Sequence, residues 1–120
     1  MILVDTSVWI DHLRKTDPRL VRILGEGLVS THPMVYGELA LGSIAGRLEF
    51  LELLERLPAA VHAEDEEVMR LIESENLHGR GLGFVDAHLL AGCLLTPGTL
   101  LWSRDRRLAG VADSLGVKHG

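Results

Sequence analysis

The chain has 120 residues, 47% of them hydrophobic and 24% charged, with a formal net charge of −5. That is ordinary globular usage in a chain long enough to bury one core, and it excludes a disordered tail or a basic nucleic-acid-coating protein. The lone Cys93 rules out an internal disulfide and points to a reducing cytosol, and no apolar run reaches the roughly 18 residues of a membrane span. The opening Met1–Asp5 lacks the basic start of a signal peptide, so the expectation is one soluble, cytoplasmic domain over residues 1–120.

Ile2–Val4 is a short β-branched run closed by Asp5 and reads as a buried parallel strand. Thr6 and Ser7 offer caps for a helix through Val8, Trp9, Ile10 and Leu13. Asp17–Leu24 is a second helix, with Asp17 as cap and Pro18 in its first turn. Leu28–Thr31 reads as a strand, and Pro33 opens a helix that ends near Gly42. Arg47–Leu57 is strongly amphipathic and stops at Pro58, and Ala59–Ala63 is a third strand candidate. Glu64–Leu77 is a helix whose acidic start suits its positive end.

A glycine-rich loop, His78–Gly83, precedes Phe84–Leu95, a helix apolar on nearly every side and therefore expected to be buried. Thr99–Trp102 is a strand, Arg104–Leu115 a helix, and Val117–His119 a possible edge strand. Strands alternating with helices imply an α/β three-layer domain with a mainly parallel sheet.

Most of the 17 acids occupy solvated helix faces or first turns, and four do not. Asp5 and Asp105 follow the apolar strand candidates Ile2–Val4 and Leu100–Trp102, at the rim where open parallel sheets bind ligands. Asp86 lies in the first turn of the buried helix, and Glu38 has Met34, Val35 and Leu41 at helical spacing. Setting these four aside leaves a net charge of −1, so an acidic chain is compatible with a polyanionic substrate.

A buried carboxylate needs a cation or a hydrogen-bond network. Lysine is absent between Lys15 and Lys118, so a shared metal is the economical partner. Oxygen-only ligation suits Mg²⁺ or Mn²⁺, ions that activate water and stabilise charge on a phosphodiester.

The segments Val4-Asp5-Thr6-Ser7-Val8-Trp9-Ile10, Tyr36-Gly37-Glu38-Leu39, Gly83-Phe84-Val85-Asp86-Ala87-His88 and Ser103-Arg104-Asp105-Arg106-Arg107-Leu108 resemble, in order, the four motifs of PIN-domain nucleases, especially VapC-type toxins. The resemblance covers nearly the whole chain and implies a metal-dependent endoribonuclease with Asp5, Glu38, Asp86 and Asp105 as catalytic and metal-holding residues. It further implies a five-stranded sheet of order 3-2-1-4-5, a supporting role for Ser7, a homodimer and a cognate antitoxin as inhibitor. Ser103 stands where threonine is common in that family, and the retained hydroxyl is expected to keep the supporting hydrogen bond.

Plainer readings stand beside these. Each of Asp5, Asp86 and Asp105 can cap a helix, and Glu38 can pair with an arginine. Arg104, Arg106 and Arg107 can hold RNA phosphates or form a solvated helix start. Gly79–Gly83 lacks the pattern of a nucleotide-binding loop and reads as a connector. The histidines show no i, i+4 pair, which makes a zinc site unattractive and His88 a core or rim residue. Trp9 and Trp102 can stack on bases but read better as core, and Cys93 reads as a small buried apolar residue. The leucine-rich Leu48–Leu57 face can be core or a partner surface. A PIN nuclease of RNA processing is the nearest rival. A receiver domain lacks its strand-end lysine here, and a dehalogenase-type phosphatase wants an aspartate where Ser7 stands.

Overall fold

The structure, a computed structural model, describes all residues 1–120. Three parallel strands form the sheet: β1 (Ile2–Val4), β2 (Val29–Ser30) and β3 (Leu100–Trp102), in the order β2-β1-β3. The register pairs Ile2 with Val29 on one side and Ile2, Leu3 and Val4 with Leu100, Leu101 and Trp102 on the other. All of β1 is buried, as its unbroken apolar run requires of a strand covered on both faces.

The five-stranded expectation is corrected here. Each outer strand candidate shrinks to one parallel bridge, Thr31–Ala59 beside β2 and Leu101–Lys118 beside β3. On the first edge Pro58 has no N–H to donate, and the amide of Val61 turns away to Thr96 Oγ1. On the second, only Leu101 engages, donating to Val117 O and accepting from the amide of His119.

Seven helices cover the sheet: α1 (Thr6–Arg14), α2 (Pro18–Gly25), α3 (Pro33–Ala40), α4 (Arg47–Glu55), α5 (Asp65–Ser74), α6 (Phe84–Leu95) and α7 (Arg106–Ser114). Their starts are written in local chemistry. Asp17 accepts from the amide of Arg19 ahead of Pro18 at the first helical turn, and His32 does the same for Met34 ahead of Pro33. Thr6 and Ser7 are not the caps of α1; Asp5 is, through Thr6 N. The last helix starts two residues later than its pattern suggests, because Asp105 is its cap.

The core joins β1 and β3 to Trp9, Leu20, Leu39, Leu54, Leu90 and Leu108. Trp9 meets Phe50 edge-on at 5.5 Å between ring centroids, which seats α4 on α1. The middle of α6 is buried from Ala87 to Cys93, while Phe84, Leu94 and Leu95 at its ends are exposed. In α4, Leu51 and Leu54 enter the core, and Leu48 and Leu53 do not.

Candidate active site

Because β1 and β3 run parallel, their carboxyl ends open on one rim, and Asp5 and Ser103 are the first residues beyond them. Asp5 is 7% exposed. Its Oδ1 accepts from Thr6 N at 2.8 Å, and its Oδ2 accepts from Ser7 Oγ at 2.9 Å and Ser103 Oγ at 2.7 Å. Ser7 Oγ in turn accepts from Arg104 N at 3.1 Å, and Ser103 Oγ from Asp105 N at 3.0 Å. The hydroxyl at position 103 is thus bonded directly to the Asp5 carboxylate.

Glu38 lies exposed on α3, with Oε1 accepting from Thr6 Oγ1 at 2.7 Å. Asp86, half-buried at the start of α6, accepts from Gly83 N at 2.9 Å through Oδ2. Burial pushes its carboxyl above the usual carboxylate range, and the negative charges of Asp5 and Asp105 add to that push against the opposing Gly83 hydrogen bond. Asp105 is exposed and caps α7, Oδ1 accepting from Arg107 N at 2.9 Å and Leu108 N at 3.1 Å.

Three of the acids are therefore helix caps or first-turn acids, as the plainer reading had it, and Asp86 feels the charges of the other two. Helices α1, α6 and α7 all start at the rim, and their positive ends offset part of the mutual repulsion. None of the four acids joins an ion pair. As the side chains stand, no three of them close around a point as a finished metal shell would. The donor set is nevertheless all oxygen and free of ion-pair partners, which fits a hard divalent ion.

The three arginines beside Asp105 separate. The Arg104 side chain is bound to Asp11 and Asp17, at 2.8 and 2.6 Å, and faces away from a phosphate role. Arg106 and Arg107 are exposed, and Arg107 lies over Gly81 so closely that a Cβ there would meet its Cδ at 2.7 Å. The left-handed Gly81 (φ 75°) thereby links the glycine loop to the rim.

The family model for the PIN domain matches residues 2–114, a span that holds all four motifs and the rim they build. This chain belongs to the PIN domain family. Two curated relatives, Ribonuclease VapC32 of Mycobacterium tuberculosis strains CDC 1551/Oshkosh and ATCC 25618/H37Rv, are each 51% identical to it over 120 residues, covering 98% of this chain and 94% of theirs. Likeness over that span places this PIN domain with the VapC-type proteins and leaves no room for a receiver or dehalogenase-type fold.

Sequence reasoning missed two constellations of this PIN domain. Thr6 was read as a cap and instead orients Glu38. His32, His62 and His88, scattered in sequence, meet with ring centroids 5.2, 5.4 and 6.3 Å apart. His32 and His88 are fully buried, and His88 Nε2 lies 3.0 Å from Asp65 Oδ1. His32 Nδ1 accepts from Met34 N, so its proton sits on Nε2 and leaves no lone pair there for a metal.

Proposed function

We propose that this PIN domain is a metal-dependent endoribonuclease and the toxin of a type II toxin–antitoxin pair. The observation that carries the chemistry is the rim of Asp5, Glu38, Asp86 and Asp105, none of them in an ion pair, at the ends of β1 and β3. The relatives' name, Ribonuclease VapC32, supplies the substrate class.

In this reading the four carboxylates would hold Mg²⁺ or Mn²⁺, whose chemistry when bound would be activation of water and charge stabilisation at a phosphodiester. The chain's own residues do the positioning. Ser7 and Ser103 fix both the rotamer and the depth of Asp5 through Oδ2. Thr6 steers Glu38 toward the rim, and the α7 cap holds Asp105. Arg106 and Arg107, exposed at the start of α7, receive RNA phosphates in an otherwise acidic protein.

The antitoxin fits a mainly apolar cavity of about 340 Å³ beside Glu38, walled by Ile10, Leu13, Leu39 and Ile44, with Leu41 91% exposed nearby. A homodimer and a cytoplasmic setting complete the proposal.

Incubating the protein with RNA and Mg²⁺ or Mn²⁺ tests it. Internal cleavage that excess EDTA abolishes is the expected result. Full cleavage in EDTA removes the metal mechanism, and no cleavage with either ion removes the nuclease. Expression alone should arrest growth and co-expression of the adjacently encoded small protein should relieve it; harmless expression of verified active enzyme favours an RNA-processing role.

A further inference from the structure

We infer that Arg104 is a positioning residue of the active rim, clamped by Asp17 and Asp11, and not a phosphate contact. The inference rests on the ribonuclease reading for its catalytic consequence only; the clamp is a statement about the fold.

Arg104 sits in the three-residue loop Ser103–Asp105 between β3 and α7. That loop supplies the Ser103 hydroxyl to Asp5 and carries Asp105 itself. Arg104 is tied through both its backbone and its side chain. Its backbone N–H donates to Ser7 Oγ, the hydroxyl that donates onward to Asp5 Oδ2. Its guanidinium spans two carboxylates, Nε to Asp11 Oδ2 at 2.8 Å and Nη2 to Asp17 Oδ2 at 2.6 Å. Asp11 belongs to α1 and Asp17 caps α2, so one side chain staples the α1–α2 corner to the rim loop.

The surroundings make the staple firm. The Asp17 side chain is only 10% exposed. Its other oxygen is taken by Arg19 N, and its own amide donates to His12 Nδ1 at 3.0 Å. The guanidinium carbons of Arg104 and Arg19 lie 5.9 and 5.2 Å from the centroid of the Trp102 ring, the last residue of β3. A fork donor held by two acids and backed by an aromatic ring has its direction set. With two acids already answering its charge and a third of its side chain exposed, Arg104 adds little positive field for RNA. Asp105 has no comparable tether; its carboxylate binds only the amides of its own helix, and its N–H the Ser103 hydroxyl. Loosening position 104 therefore shifts Ser103 and Asp105 together.

The test uses the full chain as wild type, Arg104→Ala, Arg104→Lys, Asp17→Ala and the double variant Arg104→Ala/Asp17→Ala. Kinetics of RNA cleavage are measured with Mn²⁺, and hydrogen exchange of the Asp105 amide without metal. The clamp requires Arg104→Ala and Asp17→Ala each to lower kcat by about 10- to 100-fold, the range typical of residues that orient metal ligands, with KM within about twofold. The double variant should be no worse than the poorer single one. Arg104→Lys, which keeps a cation between the acids but loses the fork, should retain an intermediate kcat and serves should the alanine variant fail to fold.

Exchange at the Asp105 amide should quicken in both single alanine variants. A phosphate contact gives the opposite pattern and overturns the inference. In that case Arg104→Ala raises KM and flattens the salt dependence of binding to a non-cleavable RNA by about 0.7 to 0.9 in log–log slope. Asp17→Ala then leaves kcat intact, and Asp105 exchange does not move. A wild type that cleaves no RNA but shows the exchange response keeps the clamp and removes the ribonuclease reading.

Discussion

Around Asp5 the protein supplies hydroxyl and amide donors but no cation, whereas around His32 it supplies burial and almost no donors. Both are clusters of titratable side chains on neighbouring elements, and both have metal-ligating chemistry on paper. The rim gathers acids at helix starts with no cation paired to them, an arrangement in which like charges repel. In the histidine triangle, His32 Nδ1 is committed as the cap of α3 and His88 Nε2 to Asp65, while His32 Nε2 and His88 Nδ1 are buried without a partner. Burial, with the charges of His62 and His88 behind it, drives the His32 imidazole down to about 4. The rim keeps carboxylates with no cation paired to them, whereas burial favours the neutral form of His32. The contrast teaches that residue type alone does not characterise a cluster; its burial and the partners of its side chains do.

The sharpest way to break that contrast is mutation on both sides. Asp5→Asn and Asp86→Asn are expected to lower RNA cleavage by roughly two to three orders of magnitude with the fold intact by circular dichroism. His32→Asn, which keeps a capping side chain, is expected to stay within about twofold. Loss of cleavage in the histidine variant with full activity in Asp5→Asn would reverse the assignment.

Acid sharpens it next. The His32 imidazole is lowered in the folded state from an ordinary 6.5 to about 4, so its contribution to stability is present above pH 6.5 and is lost as the pH falls toward 4. Protonation also turns Nδ1 from acceptor to donor against Met34 N. Urea unfolding between pH 7.5 and 4.5 should show up to about 3 kcal/mol of loss from this group, and His32→Asn should flatten that slope. Equal slopes in the two proteins would mean that the triangle does not report acid.

Metal binding follows closely in size. An ion that binds only the folded state at a hundred times its dissociation constant adds about 2.7 kcal/mol, which for this chain length raises Tm by about 10 °C. Asp86→Asn should stabilise the metal-free protein by relieving repulsion at the rim and should shrink the gain from Mn²⁺. Glu66→Gln, on the solvated start of α5, should leave that gain as it is. Thermal melts with and without Mn²⁺ decide it, and identical gains in all three proteins remove Asp86 from the metal set.

The smallest effect probes how tightly the triangle is packed. A Cβ on Gly92 would meet Val61 O at 2.9 Å and His32 Cδ2 at 3.2 Å. Since Val61 O is backbone, Gly92→Ala should cost about 1–3 kcal/mol in chemical unfolding while leaving metal response and cleavage per folded molecule unchanged.

Residues Ile2–Val4, Pro18, Pro33, Pro58 and the two ends of α6 announce themselves in the sequence, because β-branched runs, proline and apolar periodicity act over a few neighbours. The four acids were legible for the same reason: each is anomalous against its immediate flanks, and together they fall in family order. Whether they would meet was not local. It depended on β1 and β3 pairing in parallel, which sets Asp5 and Ser103 on one rim from opposite ends of the chain. The sheet's width was likewise decided late, since a three-residue edge ladder lives or dies by single bonds such as Leu101 N to Val117 O.

Arg104 and the histidines show the limit most clearly. Arg104 sits in sequence beside Arg106 and Arg107 and looks free to bind phosphate; only the packing of α1 and α2 brings Asp11 and Asp17 to it. His32, His62 and His88 lie on three separate segments with no shared spacing. Local propensity and side-chain chemistry were therefore set by the chain itself. The partner that each charge or lone pair finally meets was set by tertiary structure, because electrostatic and hydrogen-bond energies depend on distances of a few ångströms between residues up to 98 positions apart.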